Sequence, residues 1–339
     1  MKKNTSYFHP IYFPTKVAIV DDDPDYLQQV SLLVNDDVIC DLFTSPSEAL
    51  KVVQDYDENN DRFTRHYTQQ WRENLDDTDL GVAANNPHQF INDDRRFDLF
   101  SVMVIDYAMP EMSGLDLCKQ LSNPWIKKIL VTGKADLDVA VQAFNQGLID
   151  QFIRKDEGDV DILLNSAIDK LSHQYFTDRC APNNEVLFRE APYLFENSFV
   201  RWFTHLCHDH GIVEYYLKGD LLNSVFLLVT RTGKIKLLFL QTPEQSKAQY
   251  EIALDNEKIP AELLDAIYTR DVIPCLFGRG VFDSGFKDIW YHYAFPAKKF
   301  NGYVYAMVDA NDLPEFKVEH VGYSYNQFYS DFFAELVCD

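Results

Sequence analysis

The sequence predicts two fold classes in one chain. The amino-terminal half is α/β, a doubly wound five-stranded parallel sheet; the carboxyl-terminal half is α+β, with an antiparallel sheet. Three observations carry this. Up to about residue 175, short apolar runs alternate with stretches of helical apolar spacing. Two of those runs, Val17 to Val20 and Leu99 to Ile105, are apolar at nearly every position, as strands covered on both faces are. Beyond residue 196 the alternation gives way to a strand hairpin, two helices and three further strands. A length of 339 residues suits two domains, and a hydrophobic share of 46% suits buried cores.

In order, residues 1–15 read as a leader and Lys16 to Val20 as the first strand. Pro24 stands where a helix begins, and Leu27, Val30, Leu33 and Val34 give that helix one apolar face. Val38 to Phe43 is a second strand. Ser45-Pro46-Ser47-Glu48 then forms a capping box for a helix through Ala49, Leu50 and Val53. From about Asp55 to Asp98 the chain is polar and far longer than an ordinary connection, so it reads as an insertion. Within it Phe63, Tyr67, Trp71 and Leu75 recur every fourth residue, a stripe that either docks on its own domain or receives a partner. A calcium loop over Asp55 to Asp61 is rejected, because the central glycine is missing and His66 stands where the bidentate glutamate belongs. The third strand, Leu99 to Asp106, precedes a helix opened by Ser113. Lys127 to Thr132 is the fourth strand, followed by a helix capped by Asp136 and stopped at Gly147. Asp150 to Lys155 is the fifth, and a last helix runs from Val160 to Leu171.

This alternation puts the polar residues of interest just past the carboxyl ends of strands, where open α/β sheets carry their sites. Asp21 and Asp22 follow the first strand, Asp106 the third, Thr132 the fourth and Lys155 the fifth. Three carboxylates gathered at one sheet edge repel one another, and a hard divalent cation is the usual physical reason to tolerate them. That order of residues resembles the receiver domain of two-component response regulators, the CheY-like family. Asp106-Tyr-Ala-Met-Pro110 with Ser113-Gly114 is similar to its phosphoacceptor loop, and Val131-Thr132-Gly133-Lys134-Ala135 and Phe152-Ile-Arg-Lys155 are similar to its next two motifs. The resemblance covers about residues 16–175. It implies that Asp106 accepts a phosphoryl group from a histidine kinase, a phosphotransfer protein or a small phosphodonor. Mg2+ would be held by Asp21, Asp22, Asp106 and the backbone carbonyl of Ala108. Lys155 would neutralise phosphoryl charge, Thr132 would hydrogen-bond a phosphoryl oxygen, and Phe152 would take the aromatic switch position. One departure is Asp156, which stands where the family commonly has proline after the lysine and could tune that lysine.

Residues 176–195 read as a linker and 196–339 as an output domain. Phe199, Trp202, Phe203 and Leu206 mark its first helix. Val213 to Leu217, Ser224 to Thr230 and Ile235 to Gln241 read as strands, the last two joined by the turn Arg231 to Lys234. Helices begin at Thr242-Pro243 and Pro260; strands return at Val272 to Phe277, Ile289 to Phe295 and Gly302 to Val308, before a final helix through Tyr325 and Leu336. This element order is similar to that of a PAS-like sensor module, without a supporting motif. His205 and Asp209 share a helix face, but histidines in a last turn are explained by the helix dipole without a metal.

A formal charge of −22, and roughly 15 basic against roughly 23 acidic residues after residue 174, argue against sequence-independent binding to nucleic acid or anionic membrane. No apolar run reaches the ~20 residues a spanning helix needs, and the six scattered cysteines suit reduced thiols, so the expected location is cytoplasmic. The expected function is a phosphorylation-dependent response regulator with a non-enzymatic, non-DNA-binding output, protein interaction or homodimerisation. The alternative is a receiver-gated enzyme or a small-molecule sensor in the carboxyl-terminal domain.

Overall fold

A computed structural model describes residues 8–60, 91, 94–133, 137–219, 224–255, 259–274, 294–312 and 321–338. The chain forms two compact units. One comprises Phe13–His66 and Arg95–Pro182; the other comprises Met1–Tyr12, Tyr67–Asp94 and Asn183–Asp339. Strand β1 (Ile11–Tyr12) belongs to the latter.

The first unit contains β2 (Lys16–Val20), α1 (Pro24–Leu33), β3 (Cys40–Phe43), α2 (Pro46–Asn60), β4 (Phe100–Asp106), α3 (Gly114–Gln120), β5 (Lys127–Thr132), α4 (Leu137–Asn145), β6 (Gln151–Arg154) and α5 (Val160–Cys180). Its sheet is parallel throughout, in the order β3-β2-β4-β5-β6. Strand β4 lies at the centre and is buried at all seven positions, which is why its sequence shows no polar alternation. Val17, Ile19, Val102, Val104, Ile129, Val131 and Ile153 form one core, closed by Leu27 and Val30 of α1 and by Leu164, Ile168 and Leu171 of α5. The alternate strand positions Ala18, Met103, Ile105 and Leu130 are buried as well, together with Ala49 and Val53 of α2, Leu117 of α3 and Ala140 of α4.

Two expectations for this unit need correction, and a third is not reached by the described residues. The last helix does not stop near Leu171. It runs on to Cys180, because Tyr175, Phe176 and Arg179 are buried and Asp178 pairs with Lys127 of β5 at 2.5 Å. Residues 55–60 are not the start of an irregular insertion but the last turns of α2, so the rejected calcium loop would have had to unwind a helix. The stripe of Phe63, Tyr67, Trp71 and Leu75 lies outside the described residues, as does Asp136.

In the second unit, α6 (Asn184–Glu190), α7 (Asn197–Asp209), β7 (Ile212–Gly219), β8 (Ser224–Thr230), β9 (Ile235–Gln241), α8 (Pro243–Leu254), α9 (Ala261–Tyr268), β10 (Val272–Pro274), β11 (Ala294–Pro296), β12 (Lys298–Phe300), β13 (Tyr303–Asp309) and α10 (Tyr325–Cys338) follow in order. Six strands form an antiparallel sheet, β1-β7-β8-β9-β13-β12, and β10 and β11 form a separate pair. The antiparallel sheet is as expected. The PAS-like label gains nothing from this order: β7, the first carboxyl-terminal strand, is bordered by β1 rather than by a strand from the end of the domain. Residues 11–12, within the stretch expected as a leader, are therefore part of a sheet. Phe8 extends that attachment, stacking on Tyr215 at 4.9 Å and meeting Phe203 edge-on at 4.8 Å. Within the stretch expected as a linker, residues 176–180 continue α5 and 184–190 form α6.

Strand β12 is absent from the sequence reading. It pairs with β13 across the two-residue turn Asn301-Gly302, whose positive φ angles of 45° and 87° are those an Asn-Gly hairpin supplies. Helix α8 opens with the capping box Thr242/Gln245. It carries Gln249, wholly buried, which donates to the Pro274 carbonyl at 2.8 Å and so ties α8 to β10. The free cysteines Cys40, Cys118, Cys180 and Cys207 all have thiols pushed up to about 12 by burial, so they are poor nucleophiles at neutral pH. Among the described residues no helix is long and apolar enough to cross a membrane.

Two predictions follow from this packing. Phe8→Ala with Ile11→Ala removes two side chains 8% and 0% exposed. It should cost the second unit at least about 3 kcal/mol, read as a lower denaturant midpoint for its near-ultraviolet signal. Gly114→Ala would put a Cβ 2.2 Å from the carbonyl oxygen of Asp106. The start of α3 would have to lift off β4, so urea denaturation should show a loss of about 1–3 kcal/mol.

Candidate phosphoryl-transfer site

Sheet register assembles the site. Val20 is paired with Ile105, Asp106 with Val131, and Thr132 with Arg154. The residues that follow Val20 and Arg154 are Asp21 and Lys155, so both emerge at the edge that carries Asp106 and Thr132. Asp21 is 3% exposed and Asp106 6%. Both carboxylates meet the Lys155 ammonium: Nζ lies 2.6 Å from Asp21 Oδ2 and 2.8 Å from Asp106 Oδ1. Backbone donors hold the remaining oxygens. The Asp23 amide donates to Asp21 Oδ1 at 3.0 Å, and the Ala108 amide to Asp106 Oδ2 at 2.8 Å.

Burial pushes Asp21 above the ordinary carboxylate value, and the hydrogen bonds from Lys155 and the Asp23 amide only partly offset it. For Lys155 burial works against the charge, yet the hydrogen bonds to Asp106 and Asp21 hold its pKa above the usual lysine value. Asp22 is exposed; with Asp21 and Asp106 it completes a group in which one oxygen from each residue lies within 4.8 Å of the others. Three carboxylates against one ammonium leave two negative charges, and all the donors are hard oxygens. That set fits a divalent cation of the magnesium class. Among the described residues this is the one such group. His205 lies elsewhere, with Nδ1 2.7 Å from the Arg201 carbonyl oxygen, while His208 and Asp209 are exposed.

Several supporting residues escaped the sequence reading. Asp23 caps α1, accepting from the amides of Asp25 and Tyr26, and so fixes the turn that carries Asp21 and Asp22. Tyr26 places its ring 3.9 Å from Lys155 Nζ. Glu111 accepts hydrogen bonds from Ser47 and, at 2.9 Å, from Ser45, which fastens the loop after Asp106 to the start of α2. Ser113 caps α3 as expected, accepting from the Asp116 amide. Legible signals existed for the caps; none announced Tyr26 or Glu111.

Thr132 is fully buried with its hydroxyl 3.3 Å from the Gly133 carbonyl oxygen. Phe152 is half-buried and meets Phe144 edge-on at 6.2 Å. The expectation that Asp156 tunes Lys155 needs correction. Its carboxylate takes a two-pronged hydrogen bond from Arg154, at 3.0 and 2.6 Å, while the groups acting on Lys155 are Asp106 and Asp21.

The family model of the response regulator receiver domain matches residues 59–166. This stretch contains Asp106, Thr132 and Lys155 but not the Asp21-Asp22 turn. A solved structure of the response regulator LqsR from Legionella pneumophila is 29% identical. The superposition covers 97% of this chain and 98% of that one, with a TM-score of 0.77. The response regulator protein TodT of Pseudomonas putida is 37% identical over 67 residues, 19% of this chain and 29% of TodT, so the match spans under a third of that curated relative. A parallel five-stranded sheet, an acidic group at its carboxyl edge and these matches agree: the chain contains a CheY-like receiver domain of a response regulator, followed by a carboxyl-terminal domain that the matches leave unassigned.

Proposed function

We propose that the chain is a phosphorylation-dependent response regulator whose phosphoacceptor is Asp106. The single observation that supports this best is the Lys155 ammonium held between the buried carboxylates of Asp21 and Asp106. A receiver domain implies a histidine kinase or phosphotransfer protein as partner. In the transfer, an Asp106 carboxylate oxygen forms a bond to phosphorus as the phosphorus–nitrogen bond of a phosphohistidine breaks, and the imidazole leaves with the bonding pair. Aspartate is a weak nucleophile toward an anionic phosphoryl group, so repulsion must be cancelled for the reaction to proceed. Lys155 supplies one positive charge to the phosphoryl oxygens, and the Thr132 hydroxyl donates a hydrogen bond to one of them. Mg2+, held by Asp21, Asp22, Asp106 and the Ala108 carbonyl, would supply the remaining charge neutralisation when bound.

Phosphorylation draws Thr132 toward the acyl phosphate, and the half-buried ring of Phe152 on neighbouring β6 repacks in response. The output that follows is protein interaction or homodimerisation rather than DNA binding, in keeping with the acidic balance of the carboxyl-terminal half. The chain works in the cytoplasm.

Incubation with acetyl phosphate and Mg2+ should add one phosphoryl group to the intact mass of the wild-type protein and none to Asp106→Asn; equal gain in both would refute Asp106 as acceptor. Lys155→Ala should slow labelling by about a hundredfold or more, as removal of a charge stabiliser does. Tyr26→Leu should slow it less, by under about tenfold, the scale of a cation–π contact. Equal rates for Lys155→Ala and wild type would remove the lysine from the mechanism.

A further inference from the structure

The proposed phosphoryl site lies within the receiver, and the carboxyl-terminal unit carries a separate cleft. It is a cleft of about 600 Å3 where β8 turns into β9, with His210, Arg231, Lys234 and Lys236 on its walls beside Asp309 and Asp312. That volume suits a small molecule. Ile235 is the single apolar side chain among the described lining residues, the others being charged, polar or glycine.

The charges within it are not equivalent. Lys236 is neutralised by Asp309 at 2.5 Å. Arg231 and Lys234 have no carboxylate within ion-pair distance among the described residues, in a chain that carries a net charge of −22. Arg231 is nevertheless firmly held. Its Nε donates to Asn326 Oδ1 at 3.1 Å, and its guanidinium carbon lies 5.3 and 5.6 Å from the ring centres of Tyr325 and Tyr329. Its amide donates to the Gly211 carbonyl and its own carbonyl accepts from the Asn326 amide. One side-chain N–H is thereby used, and the outward fork of the guanidinium remains to receive an anion.

The turn that presents both cations is fixed as well. Gly233 has φ of +86°, and a Cβ there would fall 2.8 Å from Val321 Cγ2 and 3.0 Å from Ser324 Cβ. The Lys234 amide donates to Thr230 Oγ1 at 3.0 Å, and the Gly233 amide to the Thr230 carbonyl at 2.8 Å. One side-chain and two backbone hydrogen bonds and two aromatic rings thus hold Arg231, and Gly233 is pressed beneath Val321 and Ser324. Binding here would pay little ordering entropy, which is the condition for a pre-formed anion site.

We propose that this cleft binds a small phosphorylated molecule. Its phosphate sits on the Arg231 fork and the Lys234 ammonium. Its hydroxyl or amino groups face Asp312, whose carboxylate would repel phosphate, and Asn311, whose amide can both accept and donate. The carboxyl-terminal unit is then a ligand-responsive output, independent of the Asp106 chemistry.

The test is titration calorimetry on the full-length protein at low ionic strength, without divalent cations, using inorganic pyrophosphate and ADP as probes. Saturable binding of at least one is expected. Lys234→Gln, which removes a side chain with no hydrogen bond or ion pair among the described residues, should weaken it about tenfold, the worth of a charged hydrogen bond. Arg231→Gln combined with it should abolish binding, while Asp106→Asn leaves it unchanged, separating this site from the receiver's. No saturable binding at millimolar probe overturns the proposal. So does an affinity indifferent to Lys234→Gln in a protein whose melting temperature is unchanged, or displacement of the probe by Asp106→Asn. Tighter binding of random duplex DNA than of either probe would also overturn it, in favour of a nucleic-acid surface.

Discussion

The structure of the receiver turns on one ammonium group between two carboxylates. Asp21 and Asp106 are nearly removed from water, and two bare carboxylates so placed would be strongly unfavourable. Lys155 makes the arrangement tenable, and it can do so because the parallel register brings the last residues of β2, β4 and β6 to a common edge. The compensation is incomplete, as the upward displacement of Asp21 indicates. A site left with residual negative charge attracts cations and is disposed to reorganise when charge on Asp106 changes. Tyr26 on one side and the Asp23 and Ala108 amides on the other restrict how far that reorganisation can go.

Much of this was legible because buried parallel strands announce themselves. Val17 to Val20 and Leu99 to Ile105 are apolar but for Ser101, and each is followed directly by a carboxylate that the site uses. Helix starts were legible where a side chain caps them, as at Ser113 and Thr242. The contacts that hold the site in shape were less so. Tyr26 looks like one more aromatic residue in an amphipathic helix, and Glu111 like a solvated loop charge; their roles come from tertiary neighbours over 60 residues away in sequence.

The carboxyl-terminal unit shows the opposite balance. Its strands β8 and β9 were read closely, and its strand order was not, because order depends on pairings that local pattern does not encode. Ile11-Tyr12 is too short for alternation to register, yet it borders β7. Lys298-Lys299-Phe300 carries two lysines on an edge strand, a composition that shields an edge from further pairing and also hides it from a hydrophobicity reading. Here the Asn301-Gly302 turn was the legible sign. The far end of helix α5 is hard to see in the sequence because Tyr175 and Phe176, both wholly buried, run into polar residues.

The position of β1 has a consequence for biosynthesis. Ile11 pairs with Tyr216, so the second unit draws on sequence from before and after the receiver. At bacterial-to-eukaryotic elongation rates, the first strand waits roughly 10–40 s for its partner to leave the ribosome. During that interval the receiver can complete its own fold, while Phe8 and Ile11 remain a solvent-exposed apolar end. Order of synthesis therefore lets the receiver fold before the sheet that takes up β1 can form.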